Sequence, residues 1–145
     1  MRYGYFGMPY NGCELIAVYN AMKYLGRFIP LYEIISDFER RGIWLDGAFG
    51  TRPRAVGRYL TDNGLNIVKF RTAKSMDKCV AAGRCFIIIY AHAHGIHTVM
   101  ATGTEDGKIA VYNRHNNSRK AEVVPSVSAL IKKDGLKMIV GYWIY

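Results

Sequence analysis

Apolar side chains follow a helical spacing through the first part of the chain. Between Asn11 and Gly26 they recur every three or four residues, which predicts a turn and then an amphipathic helix. This helix carries Cys13 in its first turn and ends at Gly26. The same spacing predicts a second helix over residues 31–41 and a third over residues 51–64. We therefore expect a helical N-terminal half.

The second half of the chain alternates apolar and polar positions, or is apolar without a break, as strands are. Its centre is the run Cys85-Phe86-Ile87-Ile88-Ile89-Tyr90, which predicts a buried central strand. Glu105-Asp106-Gly107 is a strong hairpin signal between two later strands. The predicted strands are 65–70, 85–90, 97–103, 108–113 and 137–145, with short helices capped by Ser75 and at 127–132. Helices followed by an antiparallel sheet predict an α+β fold.

Length and composition limit the classes of protein that fit. A chain of 145 residues, half of them apolar, is expected to form one domain over residues 1–145. No apolar run is long enough to span a bilayer, and the N-terminus lacks the apolar region of a signal peptide, so we expect a soluble, cytoplasmic protein. The net charge of +9 is scattered and accompanies no nucleic-acid-binding motif, so we expect no nucleic-acid partner.

Cys13 is the cysteine whose position indicates chemistry. The chain has three cysteines and no CxxC pair, which argues against a disulfide framework and a thiolate zinc site. At the N-terminus of a helix, free N–H groups and the helix dipole favour a thiolate, which is the nucleophilic form. The alternative is a small buried cysteine that only packs. We expect packing roles for Cys79 and Cys85.

Three of the four histidines lie close together in the sequence. His92, His94 and His97 have a spacing similar to the HxHxDH zinc motif of metallo-β-lactamase-like enzymes. The acidic position of that motif is Ile96, whose side chain cannot bind a metal or orient a metal ligand. We therefore predict no metal site, and we expect His92 and His94 to cap a loop or face solvent.

His97 begins an apolar strand, and Asn113 ends the second strand of the same hairpin. A nucleophilic cysteine needs a base, and the base needs a group that holds its ring. A two-residue turn would direct His97 and Asn113 to opposite faces of the sheet, and His115 or Asn116 would then be the better neighbour of His97. An odd loop or a bulge puts His97 and Asn113 on one face. A triad therefore predicts an odd loop or a bulge; the alternative for His97 is a core histidine.

The chain resembles a papain-like cysteine peptidase in three features. These are Cys13 at the start of the first long helix, the sequence Gly-Ile-His97-Thr-Val-Met, and the hairpin that ends in Tyr112-Asn113. Within that superfamily the chain is most similar to the bacterial bacteriocin-processing peptidase domains, which remove double-glycine leader peptides. The resemblance implies a papain-like fold, with N-terminal helices packed on a C-terminal twisted antiparallel sheet. It also implies that Cys13 is the nucleophile, His97 the general base and acid, and Asn113 the residue that orients His97.

The chain departs from the family pattern near the nucleophile. These families place a Gln about six residues before the cysteine as an oxyanion donor, and Gly7 stands there. Asn11 is the nearby amide side chain that would substitute for it, beside the backbone N–H of Cys13. Loss of one oxyanion donor costs roughly 3–4 kcal/mol of transition-state stabilisation. Glu14 follows the cysteine, and its charge is expected to raise the pKa of the Cys13 thiol.

The resemblance implies a cysteine hydrolase, a peptidase or amidase that acts through a thioester intermediate. Its substrate would be a peptide or a small amide, and the reaction needs no cofactor. Two alternatives on the same fold stay open: a thiol acyltransferase, in which an amine or thiol replaces water, and a non-catalytic peptide-binding module. The missing Gln favours the binding module, whereas Cys13, His97 and Asn113 favour an enzyme. The sequence leaves the oligomeric state open.

Overall fold

The N-terminal half of the protein is helical, as its apolar spacing predicts. The computed structural model describes residues 2–3, 6–7, 12–42, 53–115 and 118–145. Two short strands pair antiparallel at the N-terminus, and three helices follow them. These elements are β1 (Arg2–Tyr3), β2 (Phe6–Gly7), α1 (Cys13–Tyr24), α2 (Leu31–Gly42) and α3 (Pro53–Asp62).

Helix α1 is the central element of the helical half. Leu15, Val18 and Met22 recur at helical spacing and are completely buried against the rest of the core. The chain leaves the helix through Gly26, whose φ of 77° is a left-handed conformation that glycine adopts without strain. The apolar face of α1 therefore fixes the helix against the sheet, and the end predicted at Gly26 is confirmed.

The C-terminal half is a six-stranded antiparallel sheet with two short helices. The order of strands across the sheet is β3-β8-β4-β5-β6-β7. The elements are β3 (Ile67–Phe70), α4 (Ala73–Asp77), β4 (Cys85–His92), β5 (Gly95–Gly103), β6 (Ile109–Tyr112), β7 (Glu122–Val124), α5 (Val127–Asp134) and β8 (Lys137–Ile144). The predicted α+β class and the central position of the 85–90 run, here part of β4, are confirmed.

The sheet separates two apolar cores because neighbouring residues of a strand point to opposite faces. Ile87 and Ile89 of β4 belong to the core that α1, α2 and α3 cover. Phe86 and Ile88 belong to the core on the other face, which α4 and α5 cover. Each face of the central strand is buried, which explains why its sequence is a continuous apolar run.

The hairpin of β5 and β6 has the odd loop that a triad requires. Gly103 pairs with Ile109 and Met100 pairs with Tyr112, so five residues, 104–108, connect the two strands. Thr104 closes this loop: its N–H donates to the carbonyl of Lys108 at 2.9 Å and its hydroxyl accepts the N–H of Lys108 at 3.0 Å. In this register the position after Tyr112 lies opposite Val99, on the same face as His97.

Two local predictions were wrong or incomplete. Helix α4 begins before Ser75, because Thr72 is the N-cap and its hydroxyl accepts the N–H of Ser75 at 3.2 Å. Strand β7 was not predicted, since it has only three residues and lies at an edge of the sheet. Within the described ranges, each helix is too short or too polar to cross a membrane.

Candidate active site

Cys13 is the first residue of α1, directly after the N-cap Gly12. Its thiol is half-buried and donates a hydrogen bond to Oε2 of Glu14 at 3.2 Å. The side chain of Glu14 is itself buried, with 3% of the residue exposed. A carboxylate therefore holds the proton of the candidate nucleophile.

The surroundings of Cys13 favour the thiol over the thiolate. Burial raises the pKa of Cys13 well above its ordinary value, and the charge and hydrogen bond of Glu14 raise it further. Backbone hydrogen bonds of Thr98 and Glu14 act in the opposite direction and are weaker. The prediction that the helix N-terminus makes Cys13 a thiolate was wrong, because desolvation outweighs the helix N-terminus. The predicted effect of Glu14 is confirmed.

His97 lies near the start of β5 and contacts the chain segment that follows β6. Its Nε2 is 2.9 Å from the backbone carbonyl oxygen of Asn113. Since a carbonyl only accepts hydrogen bonds, Nε2 carries the proton of the neutral ring. Burial lowers the pKa of His97 below its ordinary value, and backbone hydrogen bonds to Asn113 and Arg114 partly oppose the effect. Burial therefore favours the neutral form of the ring.

Asn113 contacts His97 through its backbone carbonyl and not through its side chain. The residue has a left-handed φ of 56°, which Asn tolerates better than most residues, and it ends the extended path of β6. Its side-chain Nδ2 is buried and has no hydrogen-bond partner among the described residues. In this structure the contact of Asn113 with His97 is therefore made by the main-chain carbonyl, and the orienting role of Asn113 stays a prediction.

Cys13 and His97 lie at the same end of the sheet. Thr98, the residue after His97, pairs with Ile89 on the face that α1 covers, and its backbone is hydrogen-bonded to the Cys13 thiol. His97 itself pairs with Tyr90, and the two rings meet edge to face with centroids 5.7 Å apart. The structure thus places the thiol beside the backbone next to His97, while the side-chain hydrogen bond of Cys13 goes to Glu14.

A cavity of about 390 Å³ opens beside His97 on the face of the sheet that carries α5. Its lining is rich in titratable side chains: Tyr90, His92, His97, Arg114, His115, Lys133 and Asp134. Arg114 is buried and forms a bidentate pair with Asp134, at 2.7 and 2.8 Å, and a further bond with Glu122 at 2.9 Å. Lys133 and Asp134 of this lining were not predicted as site residues, because only the tertiary structure brings α5 to His97.

The other predicted histidines form a local cap. Nδ1 of His92 accepts the backbone N–H of His94 at 3.2 Å, which confirms the expectation that they cap a loop. His94 is exposed at the turn between β4 and β5. No group of metal-binding side chains is found among the residues that the structure describes.

Two solved peptidase domains have a similar structure. The peptidase domain of Streptococcus ComA, a bi-functional ABC transporter involved in a quorum-sensing pathway, is 7% identical and has a TM-score of 0.63 over 91% of this chain and 89% of that domain. The chain has the papain-like peptidase fold. A double-glycine motif protease from an AMS/PCAT transporter, solved with the leader peptide, is 13% identical, with a TM-score of 0.60 over 92% of this chain and 84% of that one. No protein-family model and no curated protein matches the chain.

The identity of the oxyanion donors stays a prediction. Asn11, the proposed substitute for the family Gln, lies outside the described residues. Gly7, at the Gln position, is in β2 opposite Arg2 and has no side chain that donates. The backbone N–H of Cys13 is at the start of α1, where N–H groups have no acceptor within their own helix, and its role as an oxyanion donor stays a prediction.

Proposed function

We propose that the protein is a cysteine peptidase that uses Cys13, His97 and Asn113. The observation that supports this most strongly is that the fold brings three distant segments together. Nε2 of His97 is 2.9 Å from the carbonyl of Asn113, and the backbone of Thr98, the next residue, is hydrogen-bonded to the thiol of Cys13 at the start of α1.

The proposed reaction follows from these positions. Nδ1 of His97 takes the proton of the Cys13 thiol, and the sulfur attacks the carbonyl carbon of the scissile bond. The imidazolium then returns the proton to the leaving nitrogen, the C–N bond breaks, and a thioester remains on Cys13. Water, deprotonated by His97, attacks the thioester and restores the thiol. The carbonyl of Asn113 keeps the ring in place and favours the imidazolium.

The resting protein would hold a neutral thiol and a neutral imidazole. The pKa of Cys13 is raised and that of His97 is lowered, so few molecules carry the thiolate–imidazolium pair before a substrate binds. Catalysis then requires the thiol to leave Glu14 for His97 when a substrate occupies the cleft. We therefore expect slow hydrolysis of non-cognate peptides.

The similar structures support a proposal for the substrate class. One of them is a double-glycine motif protease solved with a leader peptide. We propose peptides with a Gly-Gly pair as substrates, cleaved after the pair, and a cytoplasmic site of action. A non-catalytic peptide-binding module is the second candidate, and the raised pKa of Cys13 together with Gly7 favours it.

A panel of internally quenched Gly-Gly peptides tests the proposal. We expect cleavage after the pair, identified by mass spectrometry, with no turnover by Cys13→Ala. His97→Gln should lose a factor on the order of 10²–10⁴ in kcat, as removal of a general base does. Cys79→Ala is the matched control, since it removes another half-buried thiol, and should retain activity.

The same panel distinguishes the alternatives. An amide product formed with added glycinamide would identify an acyltransferase. Tight binding of uncut peptides by wild type and by Cys13→Ala alike would identify the binding module and contradict the hydrolase. Labelling of Cys13 by iodoacetamide is a second check: in a Cys–His pair its pH profile changes in His97→Gln, whereas an isolated thiol is unaffected.

A further inference from the structure

The cavity beside His97 lies where the leaving fragment of a substrate must sit. In the proposed reaction His97 gives its proton to the leaving nitrogen, so the fragment that begins with this nitrogen departs on the His97 side. His97 lines a cavity of about 390 Å³ there, within the range of small-ligand sites, roughly 300–1,000 Å³. The cavity therefore has the size of a subsite, and it adjoins the residue that would protonate the leaving nitrogen.

The charge of Arg114 is already compensated within this cavity. Asp134 holds it by two hydrogen bonds and Glu122 by a third, and the guanidinium is buried. The Arg114–Asp134 pair in the lining is therefore neutral, and Glu122 adds one negative charge outside the lining. An anion in the cavity would not meet an isolated Asp134 carboxylate, because both of its oxygens accept from Arg114.

The remaining polar groups of the lining are donors for an anion. Lys133 is exposed at the last turn of α5 and forms no ion pair among the described residues. Nδ1 of His92 accepts the N–H of His94, so its proton is on Nε2, and this ring donates even when neutral. His115 lies on the same lining. One lysine, whose charge acts on Asp134 without a direct ion pair, and two imidazoles therefore surround the space next to His97.

We propose that this cavity is the leaving-group subsite and that it selects a carboxylate, bound by Lys133 and His92. The inference rests on the proposed function, because only a peptidase has a leaving fragment. The carboxylate is either an acidic side chain directly after the scissile bond or the free C-terminus of a short fragment. Both have the same chemistry, a planar anion that accepts two hydrogen bonds.

A binding experiment tests the cavity without turnover. Three dipeptides represent the leaving fragment in Cys13→Ala protein: Asp-Ala amide, with a side-chain carboxylate; Asn-Ala acid, with a terminal carboxylate; and Asn-Ala amide, with neither. The ring signals of His92 and His97 are followed by NMR. We expect at least one carboxylate dipeptide to bind about 10-fold more tightly than the neutral one, the effect of one charged hydrogen bond. The tighter one identifies the source of the carboxylate.

Two neighbouring lysines give a matched pair of variants. Lys133→Met should abolish the preference for the carboxylate, whereas Lys132→Met should keep it, since Lys132 is equally exposed on α5 but does not line the cavity. Equal binding of the three dipeptides, no binding of any, or equal losses in the two variants would overturn the proposal. Both side chains are exposed, so neither substitution threatens the fold.

Turnover supplies the second measurement. Two sets of Gly-Gly peptides are compared: one differs only by Asp, Asn or Lys after the scissile bond, and the other ends two residues after that bond in a free acid or in an amide. The set that contains the carboxylate identified by the dipeptides should show kcat/KM values that favour this carboxylate by about 10-fold, and Lys133→Met should remove the preference. Equal rates within both sets overturn the inference but leave the peptidase intact. Cleavage of none contradicts the proposed function, and the dipeptide result then decides alone whether the cavity binds carboxylates.

Discussion

Asn113 illustrates how one residue can serve a site through its backbone. Its left-handed φ of 56° directs the carbonyl to His97, while its amide group is buried without a partner among the described residues. The side chain is then required mainly because Asn adopts this conformation more readily than other residues with a Cβ. Asn at this position is therefore explained by its backbone conformation and not by a contact of its amide group.

Substitution at Asn113 separates the two roles. Asn113→Gly should preserve the titration of His97, measured by NMR, because glycine adopts a positive φ and keeps the carbonyl in place. Asn113→Ala should lose about 1–2 kcal/mol of unfolding free energy in urea, since a Cβ is strained in this region. An equal change of the His97 pKa in both variants would show that the amide side chain matters.

Arg114 joins three elements next to the site. It follows β6 and binds Asp134 at the end of α5 and Glu122 at the start of β7. Because the guanidinium is buried, its partners must compensate its charge, and the pair fixes α5 beside the cavity. The position of the cavity wall thus depends on contacts between elements that are separated in sequence.

The Arg114–Asp134 pair makes the unfolding free energy depend on pH in the acidic range. Arg114 lowers the pKa of Asp134 below its ordinary value of about 3.9, so its stabilisation is complete above that pH and is lost as the pH falls toward the lowered value. Asp134→Asn should cost about 1.5–3 kcal/mol at pH 7, and the difference from wild type should shrink below pH 4. Urea unfolding at pH 7, 4 and 3 measures this.

Glu105 offers a control for that experiment. It is an exposed carboxylate at the hairpin loop, and Glu105→Gln should follow wild type at each pH. If the loss of unfolding free energy in Asp134→Asn stays constant down to pH 3, the acid dependence does not come from the Arg114–Asp134 pair.

At the scale of the whole molecule, docking of the helices on the sheet buries groups that would ionise in water. Burial raises the pKa of Cys85 to about 12, and it also raises the pKa of Cys13 and of Tyr90. The stability contributed by an acid whose pKa is raised in the folded state is complete below its unfolded pKa, about 8.5 for a cysteine, and is lost as the pH rises from there to the folded pKa. The molecule should therefore lose stability as the pH rises above that value.

The contribution of Cys85 is measurable as a slope. Between pH 9 and 11 the unfolding free energy should fall less steeply with pH in Cys85→Ala than in wild type. The two slopes should differ by about 1.4 kcal/mol per pH unit. Ile87→Val is the control: it loses about 0.5–1.5 kcal/mol at every pH but keeps the wild-type slope. Parallel slopes for Cys85→Ala and wild type would mean that the thiol is not buried as described.

Part of the site could be predicted from local sequence, because it depends on local spacing. The position of Cys13 follows from a helix start, and the sequence makes the face shared by His97 and Asn113 conditional on an odd hairpin loop, which the structure has. The α+β class follows in the same way, from helical spacing in one half and strand patterns in the other. These properties involve residues that are neighbours along the chain or within one hairpin.

The tertiary structure decided the protonation of the site and the wall of its cavity. Whether the helix N-terminus or burial decides the pKa of Cys13 depends on how deeply the thiol is buried. The spacing of residues along the chain does not predict this depth. Lys133 and Asp134 reach His97 only because α5 packs on the sheet face opposite α1. Periodicity identifies which face of an element is buried, whereas desolvation and contacts between distant elements arise only when the faces meet.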